Sequence, residues 1–239
     1  GVVFSIYVFI TLTVMALGQL MMLLYNPRDL ELFVIASILV SSALIPVVLS
    51  RSEAPEKPRE VRVDIRRLFE ISPSGTASCF VAGLTNGSFW AISAIFASQM
   101  TGNTDSAALY MTSGVIGGAL GQWPLGLLSD RLDRRRVLAM TALGGAAAGF
   151  LIVASGSSIS ELSLLLLGAL WGGMAFPLYS VAVALTNDHA KPTEYVQVSS
   201  GLLLMYGVGA VLGPLLAALV MGLCGPTGLY IFSALVHLS

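Results

Sequence analysis

Gly126-Leu127-Leu128-Ser129-Asp130-Arg131-Leu132-Asp133-Arg134-Arg135-Arg136 is the stretch whose reading decides the fold. It packs six charges into eleven residues, yet the runs on either side, 106–129 and 137–160, hold none. A soluble surface would spread charge along both flanks. A helix that crosses the roughly 30 Å of bilayer hydrocarbon needs about 20 apolar residues at about 1.5 Å each, and both flanks meet that length. The charged stretch therefore reads as a tight turn between two membrane spans.

The same alternation continues outward. Uncharged runs cover 1–25, 32–50, 71–104, 162–187 and 195–239. Over the whole 239 residues, 56% are apolar and 10% are charged, with a mean hydropathy of +0.85. A soluble domain carries about 25% charge. The pattern predicts eight hydrophobic spans, at 1–25, 31–50, 71–98, 106–128, 137–156, 162–185, 195–223 and 228–239. Within lipid, segments of this length satisfy their backbone groups as helices. The expected fold class is an all-α polytopic membrane protein. The eighth run is too short to cross, and Gly1 has neither the basic flank nor the cleavage site of a signal peptide. The expectation is a fragment of a longer chain, cut at both ends. A net charge of −1 excludes a polyanion-binding surface, so no nucleic acid is expected as a partner.

The basic residues define an orientation. Connections 51–70, 129–136 and 186–194 hold eleven of the twelve Lys and Arg, and the other connections hold only Arg28. The positive-inside rule puts those three connections in the cytoplasm. On this map Cys79 sits near the cytoplasmic end of its span and Cys224 near the outer end of another. That depth difference argues against a disulfide, and both cysteines read as small apolar fillers.

The connection 51–70 is the one long linker. Its first half, Glu53–Glu60, is charged and broken by Pro55 and Pro58, a solvated tether. In its second half Val61, Ile65, Leu68 and Phe69 recur at helical spacing, with Arg62, Arg66 and Arg67 elsewhere around the turn. This suits either a short helix in the membrane interface, arginines toward lipid phosphates, or a simple lead-in to the next span.

The quoted stretch resembles the signature loop of the major facilitator superfamily, whose pattern is G-x-L-A-D-R-x-G-R-R/K. Gly126, Leu128, Asp130, Arg131, Arg134 and Arg135 match it; Ser129 stands in place of Ala and Asp133 in place of the second Gly. Asp is among the better non-Gly turn residues. Phe176-Pro177-Leu178-Tyr179-Ser180, Asn187-Asp188, Val198-Ser199-Ser200-Gly201-Leu202 and Gly213-Pro214-Leu215 are similar to a bacterial subfamily of uncharacterised transporters of this type. The resemblance implies helices five to twelve of a twelve-helix transporter. Residues 1–50 would be the last two helices of the N-terminal half, and 51–70 the central cytoplasmic loop. Residues 71–239 would be the C-terminal six-helix half, its last helix truncated. Offsetting the chain by 195 residues aligns Val3, Ser5, Gly18 and Leu20 with Val198, Ser200, Gly213 and Leu215, consistent with two parallel repeats.

The expected function is secondary transport of a small solute across the plasma membrane by alternating access. The alternative is a transporter-derived sensor or scaffold. The expected partners are the bilayer, the solute and the missing N-terminal half. Gly126, Asp130, Arg131, Arg134 and Arg135 would close the cytoplasmic side. Gly126 would let helices approach, and the resemblance implies that Asp130 faces the start of the helix near Thr193. Its carboxylate would gain from that helix's dipole.

No Asp, Glu, Lys or Arg falls at mid-depth in a span, so a proton-coupling acid is expected, if anywhere, in the missing half. The polar and aromatic residues near mid-depth are Asn86 and Trp90 (i, i+4), Trp171 and Tyr179 (i, i+8), and Ser199 and Tyr206 (i, i+7). They are the candidate cavity lining, suited to a small, neutral or mostly apolar solute; helix packing is the competing reading for each. Gly114, Gly117, Gly118 and Gly121, and the pairs Gly145/Gly149, Gly168/Gly172 and Gly209/Gly213, have the small-xxx-small spacing of close helix contacts. Span 137–156, nearly free of polar and aromatic groups, reads as peripheral. The chain has no phosphate-cradling loop and no Cys/His spacing for a metal, and no intramembrane catalytic acid or triad suggests an enzyme. No cofactor is expected.

Overall fold

A computed structural model of the protein describes residues 2–25, 29–49, 64–156 and 159–239, with side chains from residue 10 onward. The described residues form nine α-helices and no strand. These are α1 (Val2–Leu24), α2 (Glu31–Leu49), α3 (Ile65–Ile71), α4 (Pro73–Thr101), α5 (Asp105–Arg131), α6 (Arg134–Ser155), α7 (Glu161–His189), α8 (Tyr195–Cys224) and α9 (Gly228–Leu238). The Pro-broken half of the long linker lies outside the described residues.

The helix boundaries follow local chemistry. Ser72 caps α4, its hydroxyl accepting from the Gly75 N–H, and Pro73 occupies the first turn where its missing N–H costs nothing. Gly102, in the left-handed region at φ 70°, ends the same helix. Ser160 caps α7 through the Ser163 N–H. Several helices outrun their predicted spans. Helix α5 continues through Asp130 to Arg131, and α7 continues to His189, because charged residues past the hydrocarbon still sustain a helix. The predicted connection 186–194 therefore begins inside α7, and His189 is an exposed helical residue, its Nδ1 near the Leu185 carbonyl, not a loop residue.

Five of the helices are long and apolar enough to cross a membrane: α2, α4, α6, α7 and α8 with its leading turn. Helix α5 has the length, but Gly, Ser, Thr and Gln dilute its apolar character. It turns its small residues onto α7 instead.

Two helix pairs form the centre, α4 with α8 and α5 with α7. Glycine makes both contacts possible. A Cβ added at Gly117 would collide with the backbone of Ala169, and one at Gly121 with that of Gly173. One at Gly213 would collide with the backbone of Leu84. The predicted small-residue stripes are thus real contact lines. Gly126 is not part of one: a Cβ there would meet nothing within 4 Å among the described residues, so the expected close approach is not seen at that position. A Cβ at Gly18, aligned with Gly213 by the internal offset, would likewise meet nothing within 4 Å among the described residues.

The core has two layers. One contains Leu68, Cys79, Val137, Leu185 and Val198, at the end of the bundle that carries the arginine motif, hereafter the basic end. The other contains Phe89, Phe96, Tyr110, Trp171 and Tyr230 toward the opposite end. There Ser106 donates to the Glu161 carboxylate at 2.6 Å, tying the starts of α5 and α7. Helix α6 buries Val137, Thr141, Gly145 and Ile152 and turns Met140, Leu143 and Leu151 outward, as expected of a peripheral helix. Helix α1 lies against α5, and α2 buries no residue. Both cysteines are free. Cys79 fills the core, whereas Cys224 is exposed, which corrects its reading as a filler.

Candidate functional site

At the basic end the turn between α5 and α6 is only Leu132 and Asp133. The Leu132 N–H donates to the Leu128 carbonyl at 2.8 Å, and the Asp133 carboxylate accepts the Arg135 N–H at 2.8 Å. Asp133 sits at φ −56°, so the turn needs no glycine, and its side chain caps α6. One of the two residues that depart from the family pattern is therefore the one that starts the helix.

Arg134 is the centre of the charged cluster. Its Nε donates to Asp188 Oδ2 at 2.6 Å, Nη2 pairs with Asp130 Oδ1 at 3.1 Å, and Nη1 donates to the Ser129 hydroxyl at 3.2 Å. One planar guanidinium thus joins the ends of α5 and α7 to the start of α6. Ser129 is buried and passes its own proton to the Gly126 carbonyl at 2.9 Å. An alanine there, as in the family pattern, would leave Arg134 one acceptor short.

Among the described residues Asp130 makes no ion pair at the helix start near Thr193. It pairs with Arg134, the first residue of α6, and its side chain is 63% exposed. The start of α8 is engaged by a different pair. Arg67, on α3, donates from Nε and Nη2 to Glu194 Oε1 at 3.2 and 3.1 Å. Arg67 therefore turns inward, away from the lipid-facing role expected of it, while Arg66 stays exposed. The Lys191 N–H and the Arg67 fork hold the Glu194 carboxyl below the usual carboxylate range, and Glu194 in turn raises Arg67. Arg131 and Arg135 are exposed and make no ion pair among the described residues.

The mid-depth candidates separate into two groups. Trp90, Tyr179 and Tyr206 are half-buried on neighbouring helices. Trp90 lies parallel to Phe176, ring centroids 5.8 Å apart, and the Tyr179 and Tyr206 rings are 4.9 Å apart. Asn86 is buried one turn from Trp90, and its Oδ1 has no partner among the described residues. Helix α5 adds Gln122, whose amide donates to the Ser180 hydroxyl at 2.7 Å. Sequence reasoning missed Gln122 and Phe176. The signal for Gln122 was present, since it is the only amide side chain in the uncharged run 106–129.

Two candidates lie apart from these rings, one by burial and one by distance along its helix. Trp171 is enclosed, stacked on Phe89 at 5.1 Å with its indole N–H donated to Ser233 at 3.0 Å. Eight residues advance a helix about 80° beyond two full turns, enough to carry Tyr179 to the partly open side while Trp171 stays inside. Ser199 is exposed and about one turn from the start of α8, roughly 10 Å along the axis from Tyr206. His237 lies buried beside Trp171, its Nδ1 near the Ser233 carbonyl at 2.8 Å.

The profile of the Major Facilitator Superfamily matches residues 76–239, and the chain belongs to that family. It is also similar to proteins named uncharacterized MFS-type transporter YcaD. The identity is 25% over 207 residues with that of Escherichia coli O17:K52:H18 and 24% with that of Shigella flexneri. In each case the match takes in 86% of this chain and 53% of the relative. The chain thus spans about half the length of the curated relatives it matches. It is a membrane protein of the facilitator fold.

Proposed function

We propose that the whole protein is a secondary transporter that moves a small, uncharged or mostly apolar solute across the plasma membrane by alternating access. Residues 71–239 form its C-terminal half, 1–50 the last two helices of the other half, and 51–70 the cytoplasmic loop between them. The basic end faces the cytoplasm, because the connections there carry nearly all the basic residues.

The observation that carries this reading is the face shared by α4, α5, α7 and α8. It sets half-buried Trp90, Phe176, Tyr179 and Tyr206 beside Asn86 and the Gln122–Ser180 pair, with no ionised side chain among them. Aromatic walls with a few hydrogen-bonding groups suit neutral ligands. A carboxylate or ammonium solute would enter without a counter-charge and lose its hydration. The missing half supplies the opposite wall, and with it any proton-coupling acid. Asp130, Arg134 and Asp188 form the cytoplasmic closure of this half, with Gly126, Arg131 and Arg135 flanking it.

The experiment is flux into proteoliposomes holding the full-length protein. An uncharged aromatic amide, a benzoate and a quaternary ammonium dye are compared, with and without a proton gradient. The reading expects protein-dependent flux of the amide that falls at least several-fold in Trp90→Ala and Tyr206→Ala. Flux confined to the charged probes, or no protein-dependent flux of any probe, contradicts it.

A further inference from the structure

Helix α3 is seven residues long, too short to hold its shape by backbone bonds alone. A cap on its own first turn and three ties to the bundle hold it in place. The Asp64 carboxylate caps it through the Arg67 N–H at 3.1 Å. The Thr76 hydroxyl donates to its Leu68 carbonyl at 3.2 Å. Leu68 itself is buried against Gly201 of α8, where a Cβ would stand 2.5 Å from Leu68 Cδ1. Arg67, next to Leu68, reaches Glu194 at the foot of the same helix. Glu194 is fixed for that purpose, since its second oxygen accepts the Lys191 N–H at 3.2 Å.

The foot of α8 packs along α4 and buries Val198 in the core layer beside Cys79, while its contact with α7 is slight and the Arg134 cluster makes no ion pair with it. The outward face of α3 is unlike the inward one: Ile65, Arg66 and Phe69 are exposed.

We propose that Arg67 and Glu194 form a clasp that fastens the helix at the end of the long linker to the foot of α8, so that the two move as one body. Neither residue lies in the solute face. They are positioning residues, and the effect on transport rests on the transporter reading above. While the clasp holds, a pull along the linker is delivered to α8, which carries Tyr206. When it opens, Leu68 leaves Gly201 and the core layer behind it, including Cys79, is uncovered.

Cys79 is therefore a native reporter. The test uses the full-length protein in membranes, with Cys224 and any cysteine outside this chain replaced, and follows N-ethylmaleimide labelling of Cys79. Wild type should label slowly. Arg67→Glu and Glu194→Arg should each label about three- to tenfold faster, and the swapped double Arg67→Glu/Glu194→Arg should return toward wild type. Arg67→Lys, which keeps the charge and loses the fork, should fall between. Singles that label at the wild-type rate, or a swapped pair no slower than the singles, would overturn the clasp. In the flux assay the singles should change turnover with little change in the half-saturating amide concentration; unchanged turnover would overturn the positioning role. If the wild-type protein moves no solute, the labelling arm still decides the clasp and only the transporter reading falls.

Discussion

Arg134 Nε stands 2.6 Å from Asp188 Oδ2, and this contact joins the first residue of α6 to the last turn of α7 across 54 residues of sequence. The same guanidinium also holds Asp130 and Ser129, so three helix ends meet at one side chain. The carboxylates are about half exposed or more, which limits each bond through solvent screening. The strength of the cluster lies in its convergence.

Because Arg134 serves three partners and Asp130 serves one, their substitutions should not be equivalent. Arg134→Ala should lower solute turnover the most, about tenfold, as several charge-assisted bonds of about 1 kcal/mol each are lost together. Asp188→Asn should rank second. Asp130→Asn should shift the protein least toward the state open at the basic end. Turnover and cysteine accessibility at that end measure the ranking. A larger effect for Asp130→Asn would restore the view that its carboxylate works at a helix start elsewhere.

The glycine contacts predict stability, not activity. Gly117→Leu or Gly121→Leu should drive the α5 and α7 backbones apart at a cost of about 1–3 kcal/mol or more. Gly126→Ala, in open space, should leave the melting temperature of the detergent-solubilised protein unchanged. A melting temperature that drops for Gly126→Ala and holds for Gly117→Leu would contradict the packing described.

The contrast between Gly117 and Gly126 shows what the sequence could convey. Charge-free runs and small-residue spacing report directly on where helices lie and touch, because lipid and close packing impose them residue by residue; of the eight predicted spans, five match described helices long and apolar enough to cross. The functional motif was recognisable, yet which of its charges does the joining was not. That depends on Asp188 arriving at the end of α7, 54 residues away, and on α7 staying helical past its apolar run. The aromatic face to which we assign the solute draws on Asn86, Trp90, Tyr179 and Tyr206, whose spacing was legible in the sequence. Trp171 is enclosed apart from those rings, because an i, i+8 relation on a helix drifts off the shared face. Arg67 looked like a lipid-facing residue from its spacing alone, and its acid partner lies 127 residues downstream.

Trp171 and Trp90 should now behave oppositely. Trp171→Phe keeps the stack on Phe89 and loses the bond to Ser233, leaving a buried hydroxyl partner short by about 1–2 kcal/mol, so the protein should melt lower with its solute preference intact. Trp90→Phe should melt near wild type and alter the ranking of aromatic solutes. Competition between solutes in the flux assay distinguishes the two. A changed preference in Trp171→Phe would return that residue to the solute face.

The clasp carries a pH signature. Folding lowers the Glu194 carboxyl below its ordinary value of 4.5, so the stability it contributes is complete above that value and is lost as pH falls through the lowered folded value. The melting-temperature gap between wild type and Glu194→Gln should be flat from neutral pH down to about 5 and close only below that ordinary value of 4.5. A gap that closes between pH 7 and 6 would point to a histidine instead.

The most direct test of the account is a single cysteine at Ser180, on the proposed solute face, in an otherwise cysteine-free full-length protein. It is challenged with a membrane-impermeant maleimide from each side of sealed vesicles. Alternating access predicts labelling from both sides, with Arg134→Ala raising the rate from the basic end and lowering it from the other. Labelling from one side alone, unchanged by Arg134→Ala, would contradict it.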